Sequence, residues 1–253
     1  MTPIAIATVV LACVFGGALL GMFLRTMLPE HHLSDESKDV VKLVAGLVAT
    51  LSALVLGLLI ASAKGSFDTI NESFRQSAAK IILLDRALAQ YGPETKDLRE
   101  QLRSSFKAKT DVLFAMDKDL GATANSPQAT ATIERFQEKL RALSPQNELQ
   151  RSLQLRALDL IDAVAQTRWL GIEHQDNAIP RPFLVVLVFW LATMFASFGL
   201  FAPRNAITFA VLFLGALSLA ASVFLIEELN DPLSGYITVS RAPMDLAYSQ
   251  LGK

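Results

Sequence analysis

Three carboxylates follow the last long apolar run of the sequence and are candidate metal ligands. Glu227, Glu228 and Asp231 carry the oxygen atoms that hard cations such as calcium prefer. Calcium usually takes about six to eight oxygens, so three mobile side chains fall short of a complete site. Pro232 and Gly235 follow at once, and both residue types are typical of turns. The pattern therefore favours an exit turn, in which Asp231 accepts backbone N–H bonds, over a calcium site.

The remaining residue types that could do chemistry are few. The histidines are the adjacent pair His31-His32 and the distant His174, and the single cysteine, Cys13, lies within an apolar run. These residues are too scattered for a metal cage, and one cysteine cannot form an intrachain disulfide. The strings GxxxxGK[ST], HExxH and GxSxG are absent from the sequence. We therefore expect no catalytic residue, no metal and no cofactor.

Small residues recur at strict intervals of four in the second apolar run, from Ala45 to Ala61. Such a stripe allows helix backbones to approach closely in lipid, where packing drives association. It predicts either tight packing within one subunit, which we favour, or packing around an axis that several copies share. In the second case small and hydroxyl side chains of this run could line a pore. The stripe consists of Ala45, Ala49, Ala53, Gly57 and Ala61, and the additional pore candidates are Gly46, Thr50 and Ser52.

The sequence contains four long apolar runs, and the small-residue stripe and the exit carboxylates lie in or beside them. All 23 basic and 24 acidic residues lie outside them. Each run is long enough, at about 1.5 Å per helical residue, to cross a hydrocarbon core of roughly 30 Å. The absence of ionisable residues within them argues against a pump or an ion-coupled transporter, but it is compatible with a passive pore. The four predicted spans are Ile4–Leu24, Leu43–Ala63, Phe183–Ala202 and Ala206–Ile226.

The segment between the second and third spans is polar and is predicted to be helical throughout, because glycine and proline occur at only a few points. We expect the second span to continue without a break from Asp39 to Tyr91, and the last soluble helix to begin with Ser144 as N-cap and Pro145 in the first turn. The intervening predicted helices are Glu94–Leu120 and Ala129–Leu143, and the last runs over Pro145–Ala178. On that last helix, an apolar stripe is predicted to face a helix bundle. Its members are Leu149, Leu153, Ala157, Leu160, Ile161, Val164 and Trp169.

An even number of spans places the N-terminus, the helical segment and the C-terminal tail on the same side of the membrane. Five basic residues near the membrane lie on that side and four on the other, so the positive-inside rule slightly favours a cytoplasmic location. The five are Lys64, Arg75, Arg168, Arg181 and Arg241, and the four are Arg25, Lys38, Lys42 and Arg204. A net charge of −1 provides no basic footprint for nucleic acid.

Three stretches of the sequence resemble the bacterial bestrophin-like domain family of membrane proteins. They are LPEHHLSDESKDVVKLVAGLVATLSALVLGLLIASAKGSFD, LLDRALAQYGPETKDLREQLR and ELNDPLSGYITVS. Bestrophins are pentameric anion channels with two spans, a cytosolic helical segment, two further spans and a tail. The resemblance implies that the second span lines the pore, and that Asp231, Pro232 and Gly235 hold a turn. This chain has PLSG where bestrophins have a Pro-Phe-Gly turn, and it lacks the acidic run of calcium-gated members.

The sequence as a whole therefore predicts an all-α membrane protein with four transmembrane helices and a helical cytosolic segment. We expect a multi-pass protein of a bacterial inner membrane, whose partners are lipid, further copies of itself and small ions. The leading functional hypothesis is a passive ion channel, with anion preference implied by resemblance. The alternative is a non-conducting membrane scaffold or sensor whose cytosolic helices bind a partner protein. The predicted segments are 1–63, 64–182, 183–226 and 227–253, the last being the tail.

Overall fold

The computed structural model describes residues 2–27, 35–114, 127–176, 181–233 and 235–253, and no strand occurs among them. The chain forms eight α-helices within these ranges, with a short 3₁₀ turn at Pro93–Thr95. In chain order they are α1 (Pro3–Met27), α2 (Asp35–Tyr91), α3 (Lys96–Leu113), α4 (Pro127–Arg141), α5 (Glu148–Asp176), α6 (Arg181–Phe201), α7 (Ala206–Asn230) and α8 (Ala242–Gln250).

Four of these helices are long and apolar enough to cross a membrane, namely α1, α2, α6 and α7. Each contains one of the runs predicted from hydropathy, apart from Ala202, which lies one residue beyond α6. The continuous second helix is confirmed: α2 runs unbroken for 57 residues and begins four residues before the expected start. The predicted all-helical class with four spans is therefore correct.

The first compact unit consists of Met1–Ser66 and Ala178–Asn230. Within it, α1 buries Val10, Val14, Ala18 and Met22 at steps of four, and α7 buries a similar row from Leu212 to Ile226. Each row is narrow, and most of the apolar surface of these helices stays exposed in the single chain. An exposed apolar surface of this kind is suited to contact with lipid.

The second compact unit consists of Phe67–Asn177 and Asp231–Lys253. Its core combines apolar side chains of the second half of α2 with those of α3, α4, α5 and α8. The apolar stripe predicted on α5 is largely correct, since Leu153, Ala157 and Ile161 are buried and Leu160 and Val164 are partly buried. The prediction that Leu149 faces the bundle is wrong, because this residue lies in the first turn, beyond the core, and is 68% exposed. The side chains of Trp169 and His174, and the pair His31-His32, lie outside the described residues.

The predicted start of α5 is also wrong. The helix begins at Glu148, with Asn147 rather than Ser144 as its N-cap. The side-chain oxygen of Asn147 accepts the backbone N–H of Gln150 at 2.8 Å, and the side chain of Gln150 accepts the backbone N–H of Gln146 at 2.7 Å. The first bond caps α5 at Asn147, and the second satisfies the N–H of Gln146, the residue before the cap.

Candidate pore-lining helix and exit turn

One face of the membrane-spanning part of α2 packs against the rest of the chain. Ala45, Ser52, Leu59 and Ala63 are buried, and their spacing of seven, seven and four places them along one side of the helix. Ser52 is 3% exposed, and its hydroxyl has no hydrogen-bond partner among the described residues. Ser52 therefore faces the interior of the chain and is not among the exposed pore candidates.

The small-residue stripe does not remain on this packed face. Each step of four residues advances the position around an α-helix by about 40°, so the stripe turns by about 160° from Ala45 to Ala61. Burial follows this rotation: Ala45 is buried, Ala49 is half-buried, and Ala53, Gly57 and Ala61 are exposed. A Cβ added to Gly57 would meet no described neighbour within 4 Å. The structure therefore shows open space beside Gly57 among the described residues of this chain.

The exposed half of α2 divides into two strips of different size and chemistry. At 100° per residue, five small or hydroxyl residues occupy one flank, and four leucines occupy the other. We call them the small strip, which comprises Gly46, Thr50, Ala53, Gly57 and Ala61, and the leucine strip, which comprises Leu47, Leu51, Leu54 and Leu58. Within the small strip, the hydroxyl of Thr50 donates to the carbonyl oxygen of Gly46 at 2.9 Å. This bond satisfies the hydroxyl proton and leaves the hydroxyl oxygen as an acceptor.

The close helix approach in the first unit lies between α1 and α6. A Cβ added to Gly17 would lie 2.5 Å from the carbonyl oxygen of Ala192. A Cβ on Gly21 would overlap the carbonyl oxygen of Ala196, and one on Gly199 would overlap that of Ala18. The sequence signal for this contact is the GxxxG motif formed by Gly17 and Gly21 in the first span.

The exit turn begins where α7 ends at Asn230. Glu228 is a buried residue of α7, whereas Glu227 is half-buried. No group of three or more His, Cys, Asp or Glu side chains that could hold a metal ion occurs in the part of the chain that the structure describes.

Beyond α7, the chain forms a closed loop in the second unit. Pro232 is buried, and its carbonyl oxygen accepts the backbone N–H of Val239 at 2.9 Å, while Asp231 is half-buried and Gly235 is exposed. Because this bond joins residues seven apart, it brings the two ends of the loop together just before α8. This geometry agrees with a structural role for Pro232.

Charged contacts attach the residues after α8 to the second unit. The carboxylate of Asp85, which is 1% exposed, accepts two hydrogen bonds from the guanidinium of Arg99, at 2.8 and 2.9 Å. The same carboxylate accepts the backbone N–H of Gly252 at 3.2 Å. The hydrogen bond to Asp85 raises the pKa of Arg99 above its ordinary value, so the guanidinium remains charged. The ring of Tyr248 lies beneath Arg103, 5.2 Å from the guanidinium carbon.

Comparison with known proteins identifies the family of this chain. The family model of the Bestrophin-like domain matches residues 12–244. The chain belongs to the Bestrophin-like family. The resemblance predicted from the three sequence stretches is therefore confirmed, and with the four apolar helices it makes this a multi-pass membrane protein. A search of curated proteins gave no match.

Solved structures confirm that this family member has a bestrophin fold. A crystal structure of a point variant of a bacterial bestrophin homologue from Klebsiella pneumoniae aligns with a TM-score of 0.66 at 15% identity, over 96% of this chain and 97% of the other. Two further variants of that homologue align with TM-scores of 0.64 and 0.65 at 13% identity, over 94% of this chain and 97% of the other. At these identities the likeness concerns the fold.

Proposed function

We propose that this Bestrophin-like protein is a homo-oligomeric, passive ion channel in which α2 of each subunit lines a shared axis. The observation that carries the proposal is the division of α2. One face packs within the subunit, and the exposed half presents the small strip beside the leucine strip. The span of α2 contains no ionisable side chain, which suits passive conduction better than coupled transport.

The small strip is proposed to face the axis. Side chains no larger than threonine leave room for a conducting path, and Thr50 contributes a hydroxyl oxygen to its wall. The leucine strip would then pack against a neighbouring subunit, where its bulk is covered. Ala45, Ala49 and Ser52 take no part in the lining, because they lie on or beside the packed face.

The family resemblance supports the remaining features of the proposal. It favours a pentamer and a preference for anions. We also propose that the segment 64–182 and both termini are cytoplasmic in a bacterial inner membrane, on the basis of the slight excess of basic residues on that side. The exit turn at Asp231, Pro232 and Gly235 is proposed to be structural, with Glu227 and Glu228 as part of the interfacial end of α7.

The substitution Gly57→Leu tests the placement of the small strip. In an oligomer, this substitution places one leucine from each subunit at the same level of the proposed pore. We expect these leucines to block ion flux through liposome membranes, while the oligomer keeps its size on gel filtration. Gly16→Leu on α1 is the matched control, because a Cβ at Gly16 also meets no described neighbour within 4 Å. This control should retain flux.

Two outcomes of that experiment would contradict the proposal. If Gly57→Leu separates the oligomer into single subunits, the small strip forms the contact between subunits and does not face the axis. If the wild-type protein is a monomer in mild detergent and in lipid, no shared axis exists. A monomer would favour the alternative of a membrane scaffold whose cytosolic helices bind a partner protein.

A further inference from the structure

Two arginines form hydrogen bonds between the end of α1 and the residues at the end of α6. Arg25, in the last turn of α1, donates from Nη1 to the carbonyl oxygen of Ala202 at 2.6 Å, immediately after α6. Arg204 donates in the opposite direction, from Nη2 to the carbonyl oxygen of Met22 in α1. The two bonds therefore join the last turns of α1 to the loop that follows α6. We call this pair the arginine clamp.

Most of the donors in the clamp remain available. Each guanidinium has five N–H groups, and the carbonyl bonds given above use one on each side chain. Both arginines are exposed residues. Two positive charges are thus held at one end of the unit by neutral backbone carbonyls, which do not neutralise them. An anion with several oxygens could accept from both.

The start of α7 adds further donors at the same end. Asn205 caps this helix by accepting the backbone N–H of Thr208 at 2.8 Å through its side-chain oxygen. The N–H groups of Ala206 and Ile207 precede that bond in the first turn, where they have no carbonyl of their own helix to bind. A helix N-terminus also carries a partial positive charge. The end of the unit therefore combines two guanidiniums with a positively polarised helix start.

The positions of Arg25 and Arg204 in the sequence are suited to contact with lipid phosphates. The apolar runs of α1 and of α6 end at Leu24 and Ala202, so Arg25 and Arg204 are among the first residues outside the hydrocarbon core. A guanidinium at this position can form charge-assisted hydrogen bonds with a phosphate group. Arginine also presents a planar fork that matches phosphate oxygens in pairs.

We propose that the arginine clamp, formed by Arg25 and Arg204 beside the start of α7, binds the phosphate of an anionic phospholipid headgroup. The site belongs to the membrane unit of one subunit and does not depend on conduction. Bound lipid would bridge α1, α6 and α7 and so stabilise the packing of these helices against one another.

The test measures the melting temperature of the full-length protein in neutral detergent during titration with phosphatidylglycerol. Phosphatidylcholine and inorganic phosphate are titrated in parallel, since the first has a headgroup of no net charge and the second is the free anion. Phosphatidylglycerol should raise the melting temperature saturably, and the other two should not. Replacing either arginine by glutamine should weaken the apparent affinity by about fivefold, and replacing both by about 25-fold.

The control variant is Lys42→Gln, which removes an exposed positive charge from α2 and should leave the phosphatidylglycerol affinity unchanged. If the double variant does not fold, Arg25→Gln and Arg204→Gln are compared singly, because each keeps one half of the clamp. The proposal is overturned if the variants bind phosphatidylglycerol like the wild type, if phosphatidylcholine stabilises equally, or if inorganic phosphate alone reproduces the effect.

Discussion

The close contact between α1 and α6 can be tested by comparing the stability of two variants at adjacent glycines, Gly16→Ala and Gly17→Ala. Both substitutions add one methyl group to the same helix, so they share the same change in helix propensity. A Cβ at Gly17 lies 2.5 Å from the carbonyl oxygen of Ala192, whereas ordinary van der Waals contact begins at 3.4 Å. The two helices must therefore separate locally by about 0.9 Å, or the carbonyl must tilt, to accept the methyl group at Gly17. A Cβ at Gly16 meets no described neighbour within 4 Å.

Overpacking of this size typically costs about 1–3 kcal/mol. We expect Gly17→Ala to lower the free energy of unfolding by that amount, and Gly16→Ala to leave it unchanged or slightly raised. The measurement is SDS-induced unfolding in mixed micelles, followed by the fluorescence of the two tryptophans, with melting temperature as a second readout. Equal stability of the two variants would show that α1 and α6 do not approach closely at Gly17, and it would refute the reasoning on helix packing.

Three further predictions concern the rest of the chain. Asp85→Asn should destabilise the protein by about 3 kcal/mol and increase trypsin cleavage after Arg241, just before α8, because it leaves the guanidinium of Arg99 without its carboxylate; chemical denaturation and limited trypsin digestion measure these effects. Asn147→Ala should cost about 1 kcal/mol through loss of the helix cap, whereas Ser144→Ala should have little effect in the same denaturation assay. Asp231→Asn should lower the melting temperature more than it alters any response to calcium; a saturable calcium effect that this substitution abolishes in an intact oligomer would contradict the structural role.

The membrane helices could be predicted from sequence because their signal is local and long. About twenty consecutive apolar residues satisfy one physical requirement, the thickness of the hydrocarbon core, whatever the helix packs against. The unbroken α2 was predictable for a related reason, since no proline interrupts the chain between Asp35 and Tyr91. The family could be recognised because its characteristic stretches lie in the second span, the soluble helices and the exit segment.

The packed faces of the helices could not be predicted in the same way. Hydropathy is nearly uniform around a membrane helix, so composition alone does not show that Ser52 faces inward while Thr50 faces outward. Gly57 and Gly17 are similar in sequence context, yet only Gly17 meets a backbone carbonyl of another helix. The start of α5 could not be predicted because Ser144 and Asn147 are both good caps, and the bond from the N–H of Gln150 to the side chain of Asn147 decides between them.

The most direct test of the channel proposal is ion flux through liposomes that contain only the purified protein and lipid. We predict that small ions pass down their own gradient, without a proton or sodium gradient, and that the reversal potential in planar bilayers indicates a preference for anions. A closed oligomer that passes no ions under these conditions, or flux that requires a second ion gradient, would contradict the proposal.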